Sequence, residues 1–447
     1  MNNKIIKRVL LTGATIFLLS VYYLKSQTKT GSESYMVTDS LQLKDIISHV
    51  ITNHPSVKAA EKALNNANAR IGLAKTGYYP EIDAYANYSN LGPVTKLTIP
   101  SMGTFQLFPE NNYSAAINYR QTVYDFGRTR QNIEIENENK SIGEQTLEQV
   151  KQKLAFAVVN NFYTISFLQA AIKIKDEQLL TLQEHLNHVE TMMETGSATE
   201  YQVLATKVKI SAVESQKLDL QAALKAQQAF LNSLLGQNEN STPVVKNELS
   251  VVEPVIENDS LLSFAFRNRD EILLNEKKTS LAELRYGLIK LQDKPVISFI
   301  ATGGAKNGYV PYLNRIEPNY VVGLGIRVPI FDGMKTKYNL SQAESAINSL
   351  TFETESAKRN VTSEIKEAEA YMIVARKKIN QFELQLAQAL KAYSLAETSF
   401  RSGTITNLDL LDANTSVSES RLMLLKAKID YAASVYKFKA AIGERVY

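Results

Sequence analysis

Proline placement constrains this chain more than any other feature. No proline lies between Pro109 and Pro243, and none follows Pro329. Proline breaks helix interiors, so two stretches, each longer than 110 residues, are free to run as uninterrupted helix. Glycine is also sparse within them: Gly127, Gly143, Gly196 and Gly236 in the first, and Gly333, Gly403 and Gly443 in the second.

The two stretches are in register with each other. Gly196 to Gly403 is a step of 207, and so are Gly236 to Gly443 and Tyr124 to Phe331. Farther upstream, "NHPSVKAAEKAL" from Asn53 and "NRDEILLNEKKT" from Asn268 stand 215 apart, as do Pro80 and Pro295. One duplication, with a longer loop between Pro80 and Tyr124 in the first copy, accounts for all five landmarks. Each copy then reads as a helix (about 55–77 and 269–292), a hairpin (80–125 and 295–331), a very long helix (128–195 and 334–401) and a shorter one (198–235 and 404–442).

Some 68 residues of helix span roughly 100 Å at 1.5 Å per residue, longer than any compact globule needs. Val361, Ala368, Ala375, Phe382, Ala389 and Ala396 recur every seven residues. Interleaved with them stand Ile365, Met372, Ile379, Leu386, Tyr393 and Phe400. This is a coiled-coil seam in which alanine permits close helix approach.

The hairpins alternate with period two. Ile82, Ala84, Ala86 and Tyr88 oppose Glu81, Asp83, Tyr85, Asn87 and Ser89, and Tyr113, Ala115, Ile117 and Tyr119 oppose Ser114, Ala116, Asn118 and Arg120. In the second copy Tyr320, Val322, Leu324, Ile326 and Val328 form one face with Gly323, Gly325 and Arg327 behind it, whereas 296–302 alternates less cleanly. The pattern suits both a membrane barrel with a wet lumen and a soluble sheet on a core. The export signal described next, and the lack of spare helices to cover a sheet, favour the barrel. Four strands are too few to close one, since about eight are needed. An open sheet in lipid would strand its edge N–H and C=O groups, so the barrel must be shared between chains.

The formal net charge is +4, and four positive charges, Lys4, Lys7, Arg8 and Lys25, lie in the first 26 residues. The remainder is neutral and gives no electrostatic reason to bind nucleic acid. Residues 1–26, a basic start followed by the apolar run Val9–Leu24, read as a secretory signal, with a retained anchor as the rival reading. No other stretch approaches 18 consecutive apolar residues, so a membrane crossing must use strands. Without cysteine, disulfides, thiolate metal sites and a lipidated N-terminal Cys are excluded.

The order of elements and four local motifs resemble the TolC-like outer-membrane efflux protein family. "FRSGTITNLDLLDANTSVSESR" (400–421) is similar to that family's second helical turn, and "METGSATEYQVLATKVKISAVES" (193–215) to the first. "QTVYDFGRTR" and "VPIFDGMKTK" resemble its strand-to-helix junctions. The resemblance covers about 40–443. It implies a mixed α-helical and β-barrel membrane fold: a trimer with a 12-stranded outer-membrane barrel continuing into a long α-helical periplasmic barrel. Residues 40–236 and 260–447 would be the two structural repeats, joined by an equatorial linker at 237–259. It also implies a passive exit duct, not an enzyme, using no cofactor and working with a periplasmic adaptor and an inner-membrane pump. The competing class is an exported adaptor or structural coiled coil, which would lack the paired hairpins.

Under this resemblance Asp409 and Asp412, three apart on one helix face, would line a periplasmic constriction. The plain alternative is that acids in a first helical turn stabilise the dipole. The family often carries a basic residue two positions after the turn glycine, where this chain has Ile405. Gly196 and Gly403 would end the long helices. Beside them Ala198, Leu204, Thr404 and Leu411 are candidate adaptor contacts. His185 and His188 have a spacing that can bind metal, but no third ligand accompanies them, and a solvated helix face is the simpler reading. No Gly-rich phosphate loop, nucleophile elbow or zinc motif is present. Tyr88, Tyr113, Tyr119 and Tyr320 could form an interfacial girdle, with 91–112 and 305–318 as outer loops.

Overall fold

The computed structural model describes residues 41–238, 241–246 and 258–447. The expected signal at 1–26 and most of the expected linker at 237–259 lie outside the described residues. The first set of elements is α1 (Leu43–Asn53), α2 (Pro55–Lys75), β1 (Glu81–Asn90), β2 (Lys96–Ile99), β3 (Gly103–Gln106), β4 (Asn111–Tyr124), α3 (Arg128–Glu194) and α4 (Glu200–Leu235). The second is α5 (Asn258–Asn268), α6 (Asp270–Lys290), β5 (Val296–Lys306), β6 (Glu317–Arg327), α7 (Lys335–Arg401) and α8 (Asn407–Ala441). Moving α1 and α2 by 215 lands on α5 and α6, and moving α3 by 207 lands on α7. The small hairpin β2–β3 is the extra piece of the first set.

Both long helices contain 67 residues, about 100 Å of continuous helix. Neither contains a proline, and Gly143 is the one glycine between their ends. Along α7 the heptad positions Val361, Ile365, Ala368, Ala375 and Phe400 are buried, and those between Phe382 and Ala396 are half-buried. That seam packs on α8, while α3 packs on α2, α4, α6 and α8.

Burial concentrates at three levels along the helices. One core joins Ile46 and Val50 of α1, Val158, Phe162 and Ile165 of α3, Leu231 and Leu235 of α4, and Ile429 and Ala432 of α8. It absorbs the most apolar part of α3, which by length and composition alone could cross a membrane. A second core sets Leu261 and Ile272 against Val361, Ile365 and Phe438. A third, with Leu186, Val189, Val203, Phe400 and Leu410, lies at the turns where the long helices end.

Charged groups fasten the second core. Asp270 opens α6 buried, and accepts both guanidinium nitrogens of Arg445 (2.8 and 2.9 Å) and the amide of Gln145 on α3 (2.7 Å). Beside it, Arg269 donates to Glu364 on α7 (2.6 Å) and to the Ala441 carbonyl at the end of α8 (2.9 Å). A cation meeting a helix C-terminus satisfies carbonyls that the helix leaves open.

Candidate channel sheet and helical turns

β1, β4, β5 and β6 form one antiparallel sheet in that order. The two hairpins join through β4 and β5, where Ile117 stands opposite Gly303 and Tyr119 opposite Ala301. Period-two alternation and these registers put Ile82, Ala84, Ala86 and Tyr88 on the same face as Ile117, Val322, Leu324 and Ile326. Ile82, Tyr88, Ile117, Val322, Leu324 and Ile326 are exposed, with no cover among the described residues, while Tyr119 and Phe299 on the same face are half-buried. The opposite face is mostly polar and carries a ladder: Asn118 donates to Asp83 (2.9 Å), and Thr302 donates to Asn118 (3.0 Å). Tyr85, Ile300 and Val321 interrupt it.

The outer edges of β1 and β6 pair with no described strand. β6 ends at Arg327, short of the expected 331, because Pro329 lacks the N–H that would extend the ladder. Tyr88 and Tyr113 stand opposite each other beside the outer loops, with ring centroids 5.1 Å apart. Tyr119 lies toward the helices against Phe299, and Tyr320 stands opposite Gly303.

Each outgoing strand passes into its long helix through the same device. Asp125 accepts from the backbone N–H of Thr129 (2.7 Å) and from its hydroxyl (2.5 Å), and Asp332 accepts likewise from Thr336 (2.7 and 2.6 Å). Burial pushes the Asp125 carboxyl up, but the bonds from Thr129, Gly127 and Arg128 outweigh it and hold the group below its ordinary value. The Asp332 carboxyl is lowered by its Thr336 bonds. Arg128 then reaches across to the end of α6 and donates to the carbonyls of Leu291, Gln292 and Lys294.

At the far end, Gly196 and Gly403 take φ of 76° and 75°, a left-handed conformation that side chains other than glycine adopt at a cost. The reversed chain returns an N–H to the last open turn: Ser197 to the Met192 carbonyl (2.8 Å) and Thr404 to the Ser399 carbonyl (2.9 Å). Capping boxes then start the next helices, Thr199 with Gln202 for α4 and Thr406 with Asp409 for α8.

These turns place the site candidates. The Asp409 carboxylate accepts from the hydroxyl and backbone N–H of Thr406 (2.6 and 2.9 Å), which holds it below its ordinary value. It is thus a helix cap as well as an exposed acid. Asp412 is exposed one turn along the same face. Leu204 is 53% exposed, Gly196, Gly403 and Thr404 are exposed, and Ala198 is half-buried. Leu411 departs from the expectation of a surface contact. It is 3% exposed and packed between Leu182 and Val213, because its place on α8 faces α3 and α4.

His185 is committed elsewhere than to a metal. Its Nε2 donates to Asn407 Oδ1 (2.6 Å), and its ring stands edge-on to Phe400 with centroids 5.2 Å apart. Asn407 donates in turn to the Gln202 carbonyl and to Thr206 Oγ1 (3.2 Å each), so one buried amide ties α3, α4 and α8. Burial lowers the His185 pKa, against the Asn407 bond. Sequence reading missed Asn407 and a second polar layer farther along, where buried Lys175 donates to Gln178 and Ser418. A lone polar residue in a heptad carries no sign of its partner on another helix. Among the described residues no group of three or more His, Asp and Glu is placed to hold a metal.

The sequence matches the family described as outer membrane efflux protein over residues 46–237 and 265–444. It is 23% identical over 398 residues to the cation efflux system protein CusC of Escherichia coli, covering 88% of this chain and 84% of that protein. It is 21% identical over 407 residues to the proteases secretion protein PrtF of Dickeya chrysanthemi, covering 87% and 85%. A solved structure of CusC superposes with a TM-score of 0.76 at 20% identity, over 94% of this chain and 96% of that one. The outer membrane protein VceC of Vibrio cholerae gives 0.76 at 18% identity, over 91% and 97%. The family is one of outer membrane efflux proteins, and the CusC structure is described as forming a transmembrane channel, which sets the adaptor reading aside. The chain belongs to the outer membrane efflux protein family.

Proposed function

We propose that three copies of this chain pool their sheets into one 12-stranded outer-membrane barrel, which opens into a periplasmic tunnel of long helices and serves as a passive exit duct. The observation that carries this reading is the four-stranded sheet with two unpaired edges and an uncovered apolar face. In lipid each unpaired backbone group costs several kcal/mol, so the edges call for partners of their own kind. Apolar side chains left bare along α7, among them Phe352, Leu384 and Leu395, support the same sharing below the membrane.

The remaining parts follow that reading. Residues 1–26 act as the export signal, and the two repeats derive from one duplicated unit. The turns at Gly196 and Gly403 meet a periplasmic adaptor through Leu204 and Thr404, and the adaptor couples the duct to an inner-membrane pump. Asp409 and Asp412 ring the narrow end, six carboxylates in three copies, and favour cations. The named relatives handle cations and secreted proteases, and another is the toluene efflux pump protein TtgI of Pseudomonas putida. Such a spread fits a duct whose selectivity resides in the pump. The test is fractionation followed by bilayer recording. Detergent-extracted outer-membrane oligomers that conduct support the proposal, and a salt-extractable periplasmic monomer without conductance refutes it.

A further inference from the structure

The internal repeat holds at the level of individual residue pairs. Across β1 and β4, Glu81 faces Arg120, Ala84 faces Ile117 and Tyr88 faces Tyr113. Adding 215 to the first residue and 207 to the second gives Val296 with Arg327, Phe299 with Leu324 and Gly303 with Tyr320, all of which face each other across β5 and β6. The helices obey the same rule, since α3 packs on α2 and α4 just as α7 packs on α6 and α8.

Two kinds of contact have no counterpart among the described residues. The first set joins the second through β4 with β5 and through α3 with α6 and α8. The equivalents are β6 with β1, α7 with α2 and α7 with α4, and no comparable packing of these pairs occurs among the described residues. We propose that a second copy of this chain supplies them in one fixed register: Leu324 opposite Tyr88 and Ile326 opposite Ala86 across the strands, and Tyr338 over Gly72 across the helices. The strand pairs are Ile117–Gly303 and Tyr119–Ala301 carried through the two offsets. The inference rests on copies sharing one barrel and adds which residues meet.

Three observations support this register. It joins apolar to apolar on one face (Leu324 with Tyr88) and leaves Gly325 and Arg327 with Asn87 and Tyr85 on the other; a slip of one residue would mix the faces. Gly287, the counterpart of Gly72, is closely covered, because a Cβ there would lie 2.9 Å from the Gln131 side chain. Gly72 has nothing within 4 Å, and Tyr338, the counterpart of Gln131, is 67% exposed. Space and side chain are thus both free in one copy.

The natural chain has no cysteine, so introduced thiols report without background. Within one copy β1 and β6 stand three strand spacings apart, roughly 14 Å, too far for a disulfide, which needs Cα atoms within about 7 Å. In the full-length membrane-inserted protein, Tyr88→Cys with Leu324→Cys, and separately Ala86→Cys with Ile326→Cys, should oxidise to covalent dimers and trimers. Tyr88→Cys with Ile326→Cys, displaced by about 7 Å along the strand, should not. A second pair outside the barrel, Gly72→Cys with Tyr338→Cys, should be joined between copies by a short bifunctional thiol reagent. Oligomers that cross-link at the displaced strand pair, or at none of the stated pairs, overturn the register while leaving the shared barrel intact. A protein that remains a monomer after insertion overturns both.

Discussion

Replacing Arg445 with methionine should weaken the protein far more than an average surface substitution, because of what it leaves behind. Asp270 is 7% exposed and accepts two bonds from Arg445 and one from Gln145. Without the guanidinium, a buried carboxylate keeps a single neutral donor and the dipole of α6, whose first turn it occupies. Breaking a buried pair by removing one partner costs about 3–5 kcal/mol. The Arg445 side chain is 33% accessible, so water reaches the gap and the figure falls to about 2 kcal/mol. Large assemblies unfold irreversibly, so the assay is the half-life of the detergent-solubilised protein at a fixed elevated temperature. If the clamp opens before the rate-limiting step, about 2 kcal/mol shortens that half-life roughly 30-fold. Asp270→Leu combined with Arg445→Met removes the buried charge as well and should recover much of the loss. A half-life for Arg445→Met within about twofold of the natural protein, or a double variant weaker than the single one, would refute the reasoning.

Three further outcomes are expected. His185 is held neutral by burial, so its contribution is full above the ordinary histidine value of about 6.5 and declines as pH falls below it, by at most about 1.4 kcal/mol per pH unit. The titratable groups facing it are His188 on α3 and Glu397 on α7, and His185→Gln should flatten the loss of heat stability between pH 7 and 5. Leu411→Ala should cost about 3 kcal/mol in unfolding measurements, whereas Leu204→Ala should stay within about 0.5 kcal/mol yet weaken capture of the adaptor. Asp409→Ala with Asp412→Ala should raise single-channel conductance and reduce cation preference. Asp412→Ala alone should shift selectivity without loosening the cap on α8, and unchanged current and selectivity in both would remove these acids from the constriction.

Period and spacing explain which parts were legible in sequence. A 67-residue helix declares itself because nothing interrupts it, and the heptad seam from Val361 to Phe400 is the face that α7 buries. The glycine steps of 207 carry over unchanged into α3 and α7 and into the strand registers, since a duplicated unit conserves pairings along with residues. Helix α1 went unseen because its 11 residues end just before Pro55 and offer too few turns for a period to show. Its counterpart α5, whose first two residues alone fall in the expected linker, went unseen for the same want of turns, and the β2–β3 hairpin has only four residues per strand. At the turns, Asp409 was legible as an acid in a first helical turn, but its bond to the Thr406 hydroxyl fixes the rotamer in a way that only coordinates reveal. The inward turn of Leu411 and the link from His185 to Asn407 depend on which helices meet at the tip, and a heptad states only that some partner exists.

The mass of the intact protein extracted from outer membranes in mild detergent tests the central claim most directly. One full chain weighs 49.9 kDa. Four strands that cannot close alone call for several chains per particle, and the proposed 12-stranded barrel for three signal-cleaved chains. Particles of a single chain, folded and inserted, would contradict the shared barrel.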